Sequence, residues 1–388
     1  MLSHQIPDEF RDMRPYAPDE LPGVFHELTA DPQFMDVARH VVPHFEEKLA
    51  AMTATAAGQP LSNLDVQKAL IYPIVKRIIA ECSQGITLGV PTAFDRATPH
   101  TFITNHRDIV LDSALLSALL VDNGFPTTPQ IAIGDNLLIF PWIEKIVRIN
   151  KSFIVRRSLH MREMLRASQL MSRYMHYVIG TERDNIWIAQ REGRAKDSND
   201  RTQESLLKMM AMGGEGSAID RLRQLNLTPM ALSYEYDPCD YLKAKEFQQK
   251  RDIEGFRKSK ADDLENMRVG ILGFKGRIHF EAAPCINVWL DSLDPATPKG
   301  DLFAIVAAHI DSEIFRSYRL FPGNLVALDT LRGNTDHADG YTAAERDAFL
   351  QYIDSRVAMV DLPHPDAGFL RHCLLTMYAN PAINQLAL

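Results

Sequence analysis

Apolar side chains recur at helical spacing over residues 1–95. The stripe at 34–41 follows Asp31 and Pro32, a polar capping residue and a proline at the first helical position, which together are typical of a helix start. A second stripe contains Pro73, which should kink its helix because proline lacks the N–H donor. The pattern therefore predicts a helical N-terminal region.

Near residue 98 the pattern changes to short runs rich in β-branched and aromatic residues. Helix-like stretches at 113–121 and 158–179 separate several of these runs. Strands that alternate with helices are typical of an α/β layer with a largely parallel sheet. We therefore predict an α/β fold, a mixed and largely parallel sheet flanked by helices, over residues 96–295, with strands at 100–104, 130–133, 151–155, 185–189, 229–236 and 277–281.

A helical pattern returns in the last part of the chain. Apolar residues repeat along 302–318, and two further helices are predicted to start near Thr342 and Asp366. Residues 296–388 are therefore predicted to form a C-terminal helical region.

The composition is that of an ordinary folded protein, since 46% of the 388 residues are hydrophobic and 24% are charged. The formal net charge of −8 argues against nucleic acid as the main partner, because proteins that bind phosphate backbones usually carry a basic surplus. The four cysteines lie far apart in the sequence, without the spacing of a metal site or a disulfide framework. Reduced thiols and a cytoplasmic location are expected.

The segment 105–112, NHRDIVLD, directly follows the predicted strand at 100–104. Ligands of α/β sheets bind beyond the carboxyl ends of the strands, so His106 stands where a proton-transferring group is useful. An imidazole can take a proton from a hydroxyl, and a nearby carboxylate, Asp108 or Asp112, can orient the ring. The alternative is that His106 and the aspartates are helix caps or core residues. A kinase-type His-Arg-Asp site is excluded, because no asparagine stands five residues further on and no glycine-rich loop precedes it.

Basic residues follow two further predicted strands. Arg156 and Arg157 end the strand at 151–155, and paired guanidinium groups suit a phosphate because each offers a planar fork of donors. The segment 190–201, QREGRAKDSNDR, follows the strand at 185–189 and combines a glycine turn with several basic residues. The alternative interpretation of both segments is a solvated, charged surface.

Taken in their order along the chain, these segments resemble the glycerolipid acyltransferase superfamily, which includes glycerol-3-phosphate and 1-acylglycerol-3-phosphate acyltransferases. Within that superfamily they are similar to a bacterial branch. The resemblance covers residues 105–235: Asn-His followed by an aspartate, then Gly…Phe-Ile-x-Arg, then Glu-Gly with basic residues, then a strand led by proline. It implies a glycerolipid acyltransferase-like fold in which His106 is the general base. It further implies that Phe153, Ile154 and Arg156 shape the glycerophosphate site, with Arg157 beside them as a further substrate-binding candidate from the paired arginines. Glu192, Gly193, Arg194 and Lys196 match the block that binds the acceptor phosphate, and Pro229 matches the proline near the acyl site.

Two blocks differ from the usual pattern of that family. Five residues separate His106 from Asp112, where the family usually has four. In a regular helix this separation would turn the two side chains to different faces, because each residue rotates by about 100°. Either the turn absorbs the extra residue and Asp112 is the partner, which we favour, or Asp108 takes the role. In the Glu-Gly block, Arg191 stands where proline is usual and Arg194 where threonine is usual, which leaves the acceptor open.

The ordered sequence blocks, and the resemblance that they carry, predict an O-acyltransferase. It would move a fatty acyl group from a thioester donor, acyl-CoA or an acyl-carrier protein, to a hydroxyl of glycerol-3-phosphate or 1-acylglycerol-3-phosphate in phospholipid synthesis. The resemblance implies no metal and no cofactor beyond the acyl carrier as co-substrate. The rival hypothesis is a non-catalytic lipid- or phosphate-binding protein on the same scaffold. A serine hydrolase lacks support, because the chain has no Gly-x-Ser-x-Gly sequence.

The expected location is peripheral, on the inner face of the cell membrane. No apolar stretch approaches the roughly 20 residues that a membrane-spanning helix needs, and the leading sequence MLSHQIPDEF is unlike a secretory signal. A docking face is expected near the catalytic cleft, from apolar residues of the N-terminal helices: Ile71, Ile74, Ile78 and Ile79.

The phosphate hypothesis makes a geometric prediction. Arg156 and Arg194 should converge, with Lys196 nearby, on a point about 5–10 Å from His106, because glycerol-3-phosphate holds its hydroxyls close to its phosphate.

Overall fold

A computed structural model describes residues 6–55, 61–157, 159–294 and 297–388. Within these residues, one sheet is formed by β1 (Ile86–Gly89), β2 (Thr101–Thr104), β3 (Pro129–Gly134), β4 (Ser152–Val155), β5 (Asn185–Ala189), β6 (Leu227–Tyr234) and β7 (Ile278–Ala282). The strand order is β1-β7-β6-β2-β5-β3-β4. From β6 to β4 neighbouring strands are parallel, whereas β7 is antiparallel to β6 and parallel to β1. The predicted α/β fold with a largely parallel sheet is confirmed.

Helices precede, connect and follow the strands. Before the sheet lie α1 (Leu21–Thr29), α2 (Pro32–Val41), α3 (Phe45–Thr55), α4 (Asn63–Val66) and α5 (Tyr72–Cys82). Between strands lie α6 (Leu111–Asp122), α7 (Pro141–Ile149), α8 (Met161–Tyr177), α9 (Glu204–Met210), α10 (Ala218–Arg223), α11 (Asp240–Asp252) and α12 (Lys260–Leu272). After β7 come α13 (Asn287–Asp291), α14 (Lys299–Arg316), α15 (Pro322–Arg332), α16 (Ala343–Ala358) and α17 (Ala367–Leu386).

The N-terminal helices follow their sequence signals closely. Asp31 caps α2, since its Oδ1 accepts hydrogen bonds from the N–H groups of Gln33 at 2.9 Å and Phe34 at 3.1 Å. Pro73 stands at the start of α5, directly after a π-helical turn at Gln67–Ile71, which is the expected break in the helix. The helical pattern does not predict β1, a short edge strand that gains its hydrogen bonds from the distant β7.

The core lies on both faces of the sheet. Every residue of β2 and β6 is buried, as expected for central strands that are covered on two sides. On one face Phe102 packs with α5 and α6, and on the other Ile103 packs with α8, α9 and α14. Alternate residues of β2 thus pack into two separate hydrophobic cores, one on each face of the sheet.

The apolar pattern does not predict α11 and α12, which lie between β6 and β7. Their sequences are rich in Lys, Asp, Glu and Gln and carry no long apolar stripe. Instead α11 packs against α17, and α12 carries Gly270 and Asn266, which contact residues at the carboxyl ends of the parallel strands. These two helices therefore cover the carboxyl end of the parallel strands, where the candidate catalytic residues lie.

Candidate active site

His106 lies in the segment between the end of β2 and the start of α6, at the carboxyl edge of the parallel strands. Asn105 fixes this segment to β6. Its side-chain amide donates to the Leu232 carbonyl at 2.9 Å, and its Oδ1 accepts from the Leu232 N–H at 2.8 Å. The position of His106 is therefore set by the sheet rather than by a free loop.

His106 and Asp112 are in contact: Nδ1 of the imidazole lies 2.8 Å from Oδ2 of the carboxylate. Because a carboxylate accepts hydrogen bonds, we assign the hydrogen to Nδ1, which leaves the lone pair of a neutral ring on Nε2. The Asp112 side chain is 1% exposed and that of His106 is 14% exposed. The carboxylate is thus shielded from water, whereas the ring is partly exposed, as a group that exchanges a proton with a substrate must be.

Three further donors hold the Asp112 carboxylate. The N–H groups of Arg107 and Asp108 donate to Oδ2 at 2.7 and 3.1 Å, and the Tyr234 hydroxyl donates to Oδ1 at 3.0 Å. Asp112 also lies in the first turn of α6, where the helix dipole favours a negative charge. These contacts fix the carboxylate as the acceptor for the His106 ring.

The extra residue between His106 and Asp112 is absorbed before the helix begins. α6 starts at Leu111, so the residues before it are free to turn the two side chains toward each other. Asp108 instead accepts hydrogen bonds from the N–H groups of Val110 and Leu111, both at 2.8 Å. Burial, with the nearby charge of Asp112, raises the pKa of Asp108. Asp108 is therefore a buried residue that supports the turn, and the ring of His106 is paired with Asp112.

Two neighbours of the pair lie on predicted strands but are not predicted as site residues. Trp187 of β5 packs edge-on against the His106 ring, with centroids 5.8 Å apart. Tyr234 of β6 is buried, and burial raises its pKa well above the usual range, so its hydroxyl stays a donor to Asp112. Strand alternation could have assigned Tyr234 to a face of the sheet, but no sequence signal connects it with His106.

Of the residues expected to bind the acceptor near β4, two are part of the core. Phe153 is completely buried and packs edge-on against Tyr174, and Ile154 is buried with its N–H bonded to the Met13 carbonyl at 2.9 Å. Arg156 is exposed, and Arg157 forms a surface ion pair of 3.6 Å with Glu192. The strand end thus presents two guanidinium groups above a closed core.

The Glu-Gly block forms the turn that its glycine suggests. Gly193 has a φ of +68°, the left-handed conformation that glycine adopts without strain. Glu192 is exposed, and its N–H donates to Gln203 Oε1 at 2.8 Å. The turn directs the residues that follow it back toward the protein.

The side chains of Arg194 and Lys196 contact α12 and α11, respectively. Arg194 is buried, and its Nη2 donates to Asn266 Oδ1 of α12 at 3.3 Å. Lys196 lies 3.3 Å from Glu246 of α11, and burial together with the charge of Arg194 lowers its pKa to about 8. The structure brings these two cations together, but within the described residues no contact joins Arg156 to either of them.

Pro229 is buried inside β6, in register with Ile103 of β2, and its carbonyl accepts a hydrogen bond from the Ala283 N–H at 2.8 Å. Its structural role is that of a strand residue between β2 and β7. A role in the acyl site stays a prediction.

Two structural features are absent from the described part of the chain. No group of three or more His, Cys, Asp or Glu side chains is arranged to hold a metal ion. No helix there is both long and apolar enough to cross a membrane.

Comparisons with known proteins give one kind of match. No protein-family model matches the chain, and no curated protein does. Among solved structures, the chain matches the 1-acyl-sn-glycerophosphate acyltransferase PlsC from Thermotoga maritima with a TM-score of 0.40 and 11% sequence identity. The match covers 75% of this chain and 91% of that chain.

Proposed function

We propose that the protein is an O-acyltransferase that moves a fatty acyl group from a thioester donor to a hydroxyl of a glycerophosphate acceptor. The observation that carries the proposal is the His106–Asp112 pair, with Nδ1 bound to the carboxylate and Nε2 facing away from it. This pair stands in the first of several sequence blocks that resemble the glycerolipid acyltransferases. Acyl-CoA or an acyl-carrier protein would be the donor, and glycerol-3-phosphate or 1-acylglycerol-3-phosphate the acceptor.

The reaction follows from the hydrogen bonds of the pair. Nε2 of His106 takes the proton of the acceptor hydroxyl as its oxygen attacks the thioester carbonyl carbon. The buried Asp112 carboxylate stabilises the imidazolium that forms. The tetrahedral intermediate then collapses, the carbon–sulfur bond breaks, and the thiolate leaves and takes up a proton. An oxygen ester and a free thiol result, and the imidazole returns to its neutral form.

Because the transfer is direct, the protein mainly has to position two substrates and remove one proton. Exposed Arg156 and the cations Arg194 and Lys196 are the residues proposed to attract the acceptor phosphate. Arg194 is hydrogen-bonded to Asn266 of α12, so we propose that it acts on the acceptor through its charge rather than by direct contact.

We further propose that the enzyme works at a membrane surface. The predicted docking residues Ile71, Ile74 and Ile78 are half-buried and Ile79 is buried, so they offer little free apolar surface. We propose instead that the first turns of α8 form the docking face. The exposed fractions there are 87% for Met161, 48% for Met164 and 52% for Leu165.

The charges around this α8 face fit an anionic bilayer. At about 100° per residue, the three apolar side chains share an arc of roughly 100°, with Arg162 and Arg166 beside it and Glu163 on the opposite side. Both arginines are exposed, and no ion pair to either is found in the described residues. An apolar arc with cations along one border is typical of helices that lie in the membrane interface.

Release of free thiol from a long-chain acyl-CoA tests the proposed function. The rate should rise strongly when glycerol-3-phosphate or 1-acylglycerol-3-phosphate is added, and the acylated acceptor should appear in equal amount. Thiol release that ignores the acceptor would identify a thioesterase. Acceptor binding without any thiol release, with acyl-CoA or with acyl-carrier protein as donor, would instead support the binding-protein hypothesis.

A further inference from the structure

The segment that carries His106 and the loop at 190–203 leave the sheet side by side. Thr104, the last residue of β2, accepts a hydrogen bond from the Gln190 N–H at 2.8 Å. The structure describes every residue of 190–203, and none of them belongs to a helix or a strand. Beyond the sheet, the spacing between the two segments therefore depends on side-chain contacts.

A buried ion pair joins the two segments. Arg107 directly follows His106, and its Nη1 lies 3.2 Å from Oδ2 of Asp200 in the loop. The Asp200 side chain is completely buried and that of Arg107 is 6% exposed. The contact is electrostatic, since neither atom has a hydrogen-bond partner of good geometry. Opposite charges attract more strongly at such burial than at the surface, because little water screens them.

On the catalytic side, Arg107 is part of the turn that holds Asp112. Its N–H donates to Asp112 Oδ2 at 2.7 Å, and the same oxygen contacts Nδ1 of His106. Its carbonyl accepts from the buried Lys243 ammonium at 3.4 Å, and its Nη2 donates to the Tyr318 hydroxyl at 3.5 Å. A displacement of the Arg107 side chain would therefore act on the backbone N–H that orients the Asp112 carboxylate.

On the loop side, Asp200 closes the turn that follows the Glu-Gly block. Its Oδ1 accepts from the Ala195 N–H at 3.4 Å. Ala195 stands between Arg194 and Lys196, the two cations of this loop that are proposed to attract the acceptor phosphate. One carboxylate thus contacts both the catalytic segment and the backbone next to these cations.

We propose that Arg107 and Asp200 are positioning residues for the acyl transfer, which hold the His106–Asp112 pair at a fixed spacing from the loop at 190–203. This inference rests on the proposed function. Neither residue needs to touch a substrate. Because a displacement of about 1 Å can cost up to about 100-fold in rate, a loosened spacing should lower kcat even in a protein that stays folded.

The burial of the two charges decides which variants test the proposal. Removal of one partner leaves the other charge buried without compensation, which destabilises a fold strongly. Replacement of both partners by neutral residues removes that penalty. Arg107→Met and Asp200→Asn are therefore measured singly and together. The asparagine side chain can still accept from the Ala195 N–H, so the turn of the loop is kept.

The experiment compares melting temperatures with steady-state rates of acceptor-dependent thiol release, each rate measured well below the melting temperature. Both single variants should melt earlier than wild type, and the double variant should regain most of that loss. Its kcat should nevertheless stay about 10- to 100-fold below wild type. The KM for the acyl donor should not change, because neither residue is proposed to contact the donor. Arg107→Lys keeps the charge and should recover part of kcat.

The matched control is a second buried ion pair, at the opposite, amino edge of the sheet. Lys151 and Asp184 lie 2.8 Å apart, immediately before β4 and β5. The double variant Lys151→Met, Asp184→Asn removes this pair and should leave kcat unchanged. An equal loss of kcat in the control would overturn the proposal, because the effect would then belong to any buried ion pair.

A second measurement does not depend on acyl transfer. The Nδ1–H of His106, held by the Asp112 carboxylate, should give a proton NMR resonance far downfield, and His106→Ala should assign it by its disappearance. In the folded Arg107→Met, Asp200→Asn variant this resonance should shift or broaden, because the turn that orients Asp112 has lost its link to the loop. The control double variant should keep the resonance unchanged.

The two measurements separate this proposal from the proposed function. A wild-type protein without acceptor-dependent thiol release would reject the acyltransferase, and the NMR comparison would still decide whether the ion pair positions His106. An unchanged resonance, or a wild-type kcat, in the folded Arg107→Met, Asp200→Asn variant would overturn the proposal and leave the ion pair with an effect on stability alone.

Discussion

Tyr234 is the residue whose effect on the catalytic pair is most easily separated from the stability of the fold. Its hydroxyl is one of the donors that hold Asp112, and it does not touch His106 in the described hydrogen bonds. Tyr234→Phe removes this donor and keeps the ring. We expect kcat to fall roughly 10- to 100-fold with little change in KM, because a hydrogen bond to a charged group is worth roughly 1.5–3 kcal/mol.

The control for this prediction is Tyr236→Phe, two residues further on. That ring contacts Phe274 and Tyr352 rather than the catalytic pair. Equal kcat values for wild type and Tyr234→Phe would show that Asp112 does not need this hydrogen bond.

Lys196 predicts a pH dependence of stability. Its folded-state pKa of about 8 lies below the roughly 10.4 of an exposed lysine. Between these values the unfolded chain binds more protons than the folded protein, so this residue makes the free energy of unfolding rise with pH. Denaturation should be measured from about pH 7 to about pH 10.5. Over this range the free energy of unfolding of wild type, relative to that of Lys196→Gln, should rise by up to about 1.4 kcal/mol per pH unit.

The exposed Lys208, paired with Glu204 at 2.8 Å, gives the control variant Lys208→Gln, which should show no such trend. A constant difference between wild type and Lys196→Gln over the whole range would contradict the lowered pKa.

At the residue scale, the sequence predicted the pair but could not choose its carboxylate on periodicity alone. The contact of His106 with Asp112 depends on where α6 begins, and Asp108 helps to set that point by accepting hydrogen bonds from the N–H groups of Val110 and Leu111. The burial of Phe153 and Arg194 was not predictable either. Both are covered by distant elements: Phe153 packs on Tyr174 of α8, and Arg194 bonds to Asn266 of α12.

Among the elements, α12 has the most direct effect on the turn that carries His106. A Cβ added at Gly270 would overlap Oδ2 of Asp108, which is buried and already holds the turn. Gly270→Ala should therefore lower the free energy of unfolding by about 1–3 kcal/mol, the usual cost of overpacking, and reduce activity as well.

Chemical denaturation with a parallel rate measurement checks this prediction. Gly23→Ala in α1 is the control, because an added Cβ there meets nothing within 4 Å and alanine favours a helix. If Gly270→Ala were as stable and as active as Gly23→Ala, the close contact between α12 and Asp108 would not matter.

Elements with a clear period in the sequence were predicted well, and those without one were not. The runs of β-branched and aromatic residues predicted β5 at Asn185–Ala189, and the helices predicted to start near Thr342 and Asp366 correspond to α16 and α17. The charged helix α11 is stabilised by tertiary contacts such as the Lys196–Glu246 and Arg356–Asp240 ion pairs, and α12 is held by the Arg194–Asn266 hydrogen bond. A local sequence pattern does not contain such contacts.

On the scale of the whole molecule, a net charge of −8 opposes approach to an anionic membrane, so docking needs a local face of the other sign. The first turns of α8 supply exposed arginines beside Met161 and Leu165. The double variant Met161→Ser, Leu165→Ser should lose at least about 10-fold of its affinity for phosphatidylglycerol vesicles, because two exposed apolar side chains no longer enter the bilayer.

Vesicle sedimentation checks this expectation, with Val288→Ser as the control at another apolar side chain, 82% exposed on α13. Undiminished binding of the double variant would move the docking face elsewhere. Equal binding to neutral phosphatidylcholine vesicles would remove the charge argument.

In the proposed reaction, His106 is the general base of an acyl transfer. The most direct measurement is the steady-state rate of acceptor-dependent thiol release by His106→Ala, compared with wild type and with His372→Ala, a histidine exposed on α17. We predict a loss of roughly 10²–10⁴-fold for His106→Ala, with an unchanged melting temperature, and no loss for His372→Ala. A purified, folded His106→Ala enzyme that turns over at nearly the wild-type rate would exclude His106 as the general base.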